Sequence, residues 1–220
     1  ILQKINYDYK AYLNQKIELE KNIVKYGFEK DQYIYGYNDL NQKIGSSTSK
    51  NGKLYLNPQT WSILANIQDK HIQEIVMDKV EKKLACKYGN VQLRPSYTKG
   101  DDNIGRATYF TPGTYENGSS YNHGVSFKIA SNFLLNQPNI AYKSLKKMYP
   151  INHKESGMEE YARGNMYFGP DAISRVGFAP MPWITGTSGW IFKDILELMC
   201  GIKPDYDGLI IDPCLPTSLK

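Results

Sequence analysis

The reading of the fold turns on Trp183-Ile184-Thr185-Gly186-Thr187-Ser188-Gly189-Trp190 and, one helix later, Gly201-Ile202-Lys203-Pro204-Asp205-Tyr206-Asp207-Gly208-Leu209-Ile210-Ile211-Asp212-Pro213-Cys214-Leu215-Pro216. The first run sets Thr, Gly and Ser between two indoles and then opens an apolar helix. Small residues let a backbone approach a ligand closely, and N–H groups at a helix start favour an anion. The second run ends that helix at Gly201 and Pro204 and continues as a turn followed by a strand. Within the helix, Ile191, Ile195, Leu196 and Met199 take the inward spacing, with Lys193, Asp194 and Glu197 outward.

Upstream, the pattern is that of helices of moderate length. Residues 5–26 carry an amphipathic stripe of Ile5, Tyr9, Tyr12, Leu13, Leu19 and Ile23, interrupted by Lys16 and ended by Gly27. Asp31 to Leu40 alternates aromatic and polar residues, as a short strand or loop does, and residues 45–52 are a surface loop. Pro58 suits a helix start, and Trp61, Ile63, Leu64 and Ile67 follow it. Ile72, Ile75, Val76, Val80 and Leu84 recur at helical spacing up to Gly89. Residues 90–112 are irregular. His123 opens an apolar helix through Leu135, Pro138 breaks it, and Ile140 to Met148 forms its partner. Long loops alternating with short turns make the chain mainly α, built of helical hairpins, with no repeat of fixed period.

Length and composition narrow the function classes. The 220 residues suffice for a full core. The net charge of +5 comes from 27 basic and 22 acidic residues mixed along the chain, which is a solvated surface and not a nucleic-acid stripe. The densest basic cluster, Lys143 to Lys147, falls on a helix. Cys86, Cys200 and Cys214 have neither paired nor metal-ligand spacing, so no zinc or other metal site is expected and a reducing, cytoplasmic location is. No apolar run reaches membrane-spanning length. Ile1 is not a natural start, and the chain reads as part of something longer.

Four separate words carry a family resemblance. The tail is similar to the C-terminal part of the catalytic domain of glycoside hydrolase family 94, the inverting glycoside phosphorylases. Glu116-Asn117-Gly118-Ser119-Ser120-Tyr121-Asn122-His123 resembles that family's Glu-Asn-Gly-Gly…His segment. Asn57-Pro58-Gln59-Thr60-Trp61 looks like its Asn-Pro-Gln-Ser-Trp word, and Tyr37-Asn38-Asp39 through Ile44-Gly45-Ser46 resembles the loop before it. The resemblance implies part of an (α/α)6 barrel over residues 1–204, with 205–220 entering a C-terminal β-sandwich domain. It implies inorganic phosphate as co-substrate with no further cofactor, a β-linked oligosaccharide as partner, and leaves a homodimer open for the full-length protein.

Residue by residue, His123, Thr185 and Gly186 match the family's phosphate-binding positions. Alone, His123 reads equally as a helix-start histidine held by a loop carbonyl, and Thr185-Gly186 as a cap. Glu116 matches an acidic sugar-binding position; Tyr115 stands where the family has a basic residue and Asn165 where it has Gln, so the sugar that is read differs. Trp183 is a stacking platform or a wall, Trp61 a core residue, and Gln59 holds either a sugar or a loop. The chemistry fits: in phosphorolysis the anion is itself the nucleophile, so a pocket of imidazole, hydroxyl and N–H donors replaces a hydrolase's second carboxylate. The family's general-acid Asp lies in a word absent here, so no catalytic residue is expected within this chain. The alternatives are the phosphorylase-like region of a cyclic β-1,2-glucan synthase, an inverting hydrolase, and a non-catalytic carbohydrate-binding piece.

Overall fold

A computed structural model describes residues 7–219; Ile5, the first residue of the expected N-terminal stripe, lies outside them. The described residues are mainly helical. The helices are α1 (Lys10–Asn22), α2 (Leu56–Leu64), α3 (Lys70–Leu84), α4 (Asn122–Leu134), α5 (Pro138–Lys147) and α6 (Thr187–Lys193). Short strands pair only as two-stranded antiparallel ladders.

Local chemistry sets the helix starts. The Asp69 carboxylate accepts from the Ile72 N–H at 3.0 Å and caps α3. Pro138 occupies the first position of α5, where its missing N–H costs nothing. The apolar periodicity then decides the pairing. α2 and α3 form one hairpin and α4 and α5 another, while α4 also lies between α2 and α6. Buried Leu56, Ile63, Val76, Val80, Leu84, Val125, Ile129, Phe133, Ala141, Leu145 and Ile191 make one continuous core across them.

α2, α4 and α6 run in the same direction. Their rings meet in a row, with Phe127 at 5.2 Å from Trp61 and 4.7 Å from Trp190 between centroids. Their starts also meet: a Cβ built on Gly124 would lie 2.9 Å from Asn57 Oδ1, and one built on Gly186 would lie 2.9 Å from His123 Cε1. The hairpin turns at the far end are short (65–69 and 135–137), whereas the long segments 85–121 and 148–186 lead into α4 and α6. The quoted words therefore sit at one end of the helices.

Several expectations need correcting. Trp61 is not a core residue; it is 47% exposed, its edge against Phe127 and Trp190. α1 buries none of its residues, and Tyr12, Leu13, Ile17 and Leu19 face solvent, because no other described element lies along the stripe. Asp194 and Leu196 exchange places with respect to the expected faces. After Lys193 the helix widens into a π-helical segment, Asp194–Met199. A wider turn shifts the phase of a 3.6-residue pattern, which turns Asp194 inward and leaves Leu196 partly exposed. A hairpin of Ile202–Asp205 against Gly208–Ile211 follows, with Leu209, Ile210 and Ile211 exposed.

Asp194 is 1% exposed, and neither carboxylate oxygen has a hydrogen-bond partner among the described residues. Burial raises its pKa from the ordinary carboxylate value to about 8, against a smaller opposing pull from Lys193. The folded state thus holds a proton that the unfolded state has released. That contribution is complete below the unfolded value and is lost as pH rises through about 8. Asp194→Asn should therefore gain about 1–3 kcal/mol over the native protein near pH 8, the scale of an unsatisfied buried polar group. Urea midpoints at pH 6 and pH 8.5 would measure it; a native protein equally stable at both refutes the assignment.

Candidate active site

The Glu-Asn-Gly word is a loop whose three residues have different tasks. Asn117 is fully buried and holds the loop: its amide donates to Tyr97 O at 2.8 Å and Phe110 O at 2.7 Å, and its Oδ1 accepts the Tyr97 N–H at 2.7 Å. Gly118 has φ 93, and a Cβ there would meet Ser96 Oγ at 2.2 Å, so only glycine fits. Glu116 is thereby turned outward, into a cleft of about 570 Å³. Tyr115 and Asn165 line the same cleft, joined by Asn57, Gln92, Arg106, Phe110 and Tyr121. Tyr115 adopts a positive φ of 44, uncommon for a bulky side chain, and its ring packs between Phe110 at 5.0 Å and Phe168 at 5.9 Å. Asn165 is fixed by its backbone, its N–H donating to Met181 O and its carbonyl accepting from Asn122 N.

His123 lies one helical step from this cleft, at the start of α4. Its ring centroid is 6.2 Å from that of Tyr121, which lines the cleft, and 4.8 Å from that of Phe127 behind it. Burial lowers its pKa, so the neutral imidazole is favoured. The Gly186 backbone reaches the imidazole so closely that an added Cβ would be 2.9 Å from Cε1 and 3.0 Å from Nε2. Thr185 precedes it, its Oγ1 accepting the Thr187 N–H at 3.1 Å and sharing a hydrogen bond of 2.5 Å with the Thr187 hydroxyl. Residues more than sixty positions apart in sequence, His123 and Gly186, are thus in contact at the starts of two parallel helices.

Two expected sugar contacts are not gathered here. Gln59 is corrected: it is fully buried, its Oε1 accepts the Tyr33 N–H at 2.8 Å, and its Nε2 donates to Tyr33 O at 2.7 Å and Tyr55 O at 3.0 Å. An amide spent on backbone holds a loop. Trp183 is 68% exposed and does not line the cleft. Conversely, Gln92, Arg106 and Tyr121 join the cleft without any sequence signal beyond their nearness to quoted words. Among the described residues there is no group of three or more His, Cys, Asp or Glu placed to hold a metal ion, and no helix is long and apolar enough to cross a membrane.

Comparison with known proteins agrees with this geometry. Residues 2–201 match the family model of the glycosyl hydrolase 94 superfamily, catalytic domain. The chain is 37% identical to solabiose phosphorylase of Paenibacillus borealis over 208 residues, covering 93% of this chain and 27% of that protein. It is 31% identical to cellobionic acid phosphorylase of Neurospora crassa, over 84% of this chain and 24% of that protein. It is 29% identical to N,N'-diacetylchitobiose phosphorylase of Vibrio proteolyticus, again over 84% of this chain and 24% of the relative. The chain thus spans about a quarter of the length of the curated relatives it matches. With nine-tenths of its residues under the family model, this chain belongs to the catalytic domain of the glycosyl hydrolase 94 superfamily.

Proposed function

We propose that the chain is the C-terminal part of the catalytic domain of an inverting glycoside phosphorylase, which moves a glycosyl unit from a β-linked gluco-oligosaccharide to inorganic phosphate. The observation that carries this reading is the contact between the His123 imidazole and the Gly186 backbone, beside a cleft that holds Glu116. Phosphate accepts hydrogen bonds from the imidazole, the Thr185 hydroxyl and the N–H groups at the start of α6. A neutral imidazole donates one N–H without a permanent charge. One phosphate oxygen attacks the anomeric carbon, the bond from that carbon to the leaving oxygen breaks on the opposite face, and an α-sugar 1-phosphate results. Glu116, Tyr115 and Asn165 bind the sugar, the carboxylate accepting from hydroxyls. Trp183, on the loop entering α6, stacks on a sugar bound at the mouth.

The proton for the leaving oxygen comes from a carboxylic acid contributed by a part of the protein outside this chain. Three parallel helices backed by two others are half of the hairpins that an (α/α)6 barrel requires, and the hairpin after residue 201 leads into a β domain. The reading places the protein in the cytoplasm, with phosphate its only co-substrate. A hydrolase on the same scaffold would need a carboxylate beside His123 to activate water, and among the described residues the nearest cleft carboxylate is Glu116. The test is the intact protein supplied with β-linked disaccharides, with and without phosphate. Sugar 1-phosphate should form, and His123→Ala should lower its rate by about 10²–10³-fold, the scale of losing one preorganised donor. Free sugar released equally well without phosphate would make it a hydrolase.

A further inference from the structure

Among the residues lining the 570 Å³ cleft, Arg106 is the one cation and Glu116 the one anion. They do not pair: neither makes an ion pair or a side-chain hydrogen bond among the described residues. An arginine and a glutamate that share a cleft and stand apart leave ligand-sized space between them. Arg106 is also held in place. Its guanidinium lies 5.2 Å from the centroid of Phe110, whose ring packs on Tyr115, so an aromatic wall orients the charge. A planar guanidinium kept oriented without a carboxylate of its own is matched to a bidentate oxyanion supplied by a ligand.

Resting on the phosphorylase reading above, we infer that the cleft takes an acceptor sugar bearing a carboxylate, an aldonate or a uronate, whose acid group is bound by Arg106. The opposed charges give the acceptor one orientation. Its hydroxyls turn toward Glu116, which accepts from them, and its carboxylate turns away from Glu116, toward Arg106. A reversed acceptor would set two carboxylates against each other and leave the guanidinium unmatched. Arg106 is therefore a specificity-determining residue at the acceptor end of the cleft. In the synthetic direction the bond from the anomeric carbon to phosphate breaks and one to an acceptor hydroxyl forms. The hydroxyl proton passes to the carboxylate that serves as the acid in the forward direction, and inorganic phosphate leaves.

The experiment measures phosphate release by the intact protein from α-D-glucose 1-phosphate with D-glucose, D-glucuronate or D-gluconate as acceptor. An acidic acceptor should have the higher kcat/KM. R106Q should cut the ratio of acidic to neutral kcat/KM by about tenfold or more, as expected for loss of a charge-assisted hydrogen bond. The native enzyme supplies a second reading should that variant fail to fold: raising ionic strength should increase KM for the acidic acceptor and leave that for glucose nearly constant. Preference for glucose in the native enzyme, or an acid-to-neutral ratio that R106Q and salt leave unmoved, overturns the inference while the phosphorylase reading stands. No phosphate release with any acceptor overturns both.

Discussion

Gly186→Ala is expected to lower phosphorolysis about 100-fold while leaving the fold intact. The added Cβ would lie 2.9 Å from Cε1 and 3.0 Å from Nε2 of His123, closer than such contacts occur. The yielding partner is a side-chain tip, so the stability cost stays within about 1 kcal/mol. The imidazole, however, has little room, with the Phe127 ring 4.8 Å away between centroids on its other side. It must turn, and a displacement of about 1 Å in a positioned group can cost about 10²-fold in rate. Because His123→Ala removes what Gly186→Ala displaces, the double variant should be little worse than His123→Ala alone. Steady-state kinetics in phosphate, beside thermal unfolding, decides it. A variant with native KM for phosphate and native kcat would remove Gly186 from the anion site.

The second large effect concerns stability. Lys128, in the middle of α4, is fully buried, and its ammonium donates to Glu81 Oε2 on α3 and to Ser144 Oγ on α5, both at 2.7 Å. Three helices are pinned through one charge. Burial raises the Glu81 pKa, but the Lys128 charge and hydrogen bond outweigh that and the net direction is down. Its stabilising contribution is therefore present above the unfolded carboxylate value and is lost as pH falls through the lower folded one. Glu81→Gln leaves the ammonium buried and uncompensated, and should cost about 3–5 kcal/mol at neutral pH. Lys128→Met removes the charge together with its need for a partner, and should fall within about 1 kcal/mol of native or above it. Chemical denaturation would show the contrast; equal losses in both variants would mean that the pair stabilises by attraction alone.

Much of this architecture can be read from the residues, because its causes are local. The Asp69 cap, the Pro138 start and the stripe Val76, Val80, Leu84 each act within a turn or two of chain, and each is found where periodicity puts it. The end of the last helix was misread for a physical reason: nothing in residues 191–199 announces a π turn, and a single widened turn moved Asp194 from the wet face to the dry one. Of the site, the parts carried by words are legible. Glu116 faces a cleft because Asn117 and Gly118 shape the loop, and His123 meets Gly186 as an anion pocket needs. The rest is tertiary. Gln59 could serve a sugar or a loop until Tyr33 and Tyr55 claimed its amide, and Arg106 and Gln92 reach the cleft from separate segments of irregular chain.

The separation of ring row from helix starts bears on how such enzymes diversify. Trp61, Phe127 and Trp190 fix how α2, α4 and α6 lie together, one turn or so below the residues facing the cleft. Exchanges at Arg106, Tyr115 or Asn165 alter loop ends without disturbing that row, so a lineage can drift between sugars without passing through misfolded intermediates. Relatives named for solabiose, cellobionic acid and diacetylchitobiose, at 29–37% identity to this chain, are what such a division of labour would leave behind.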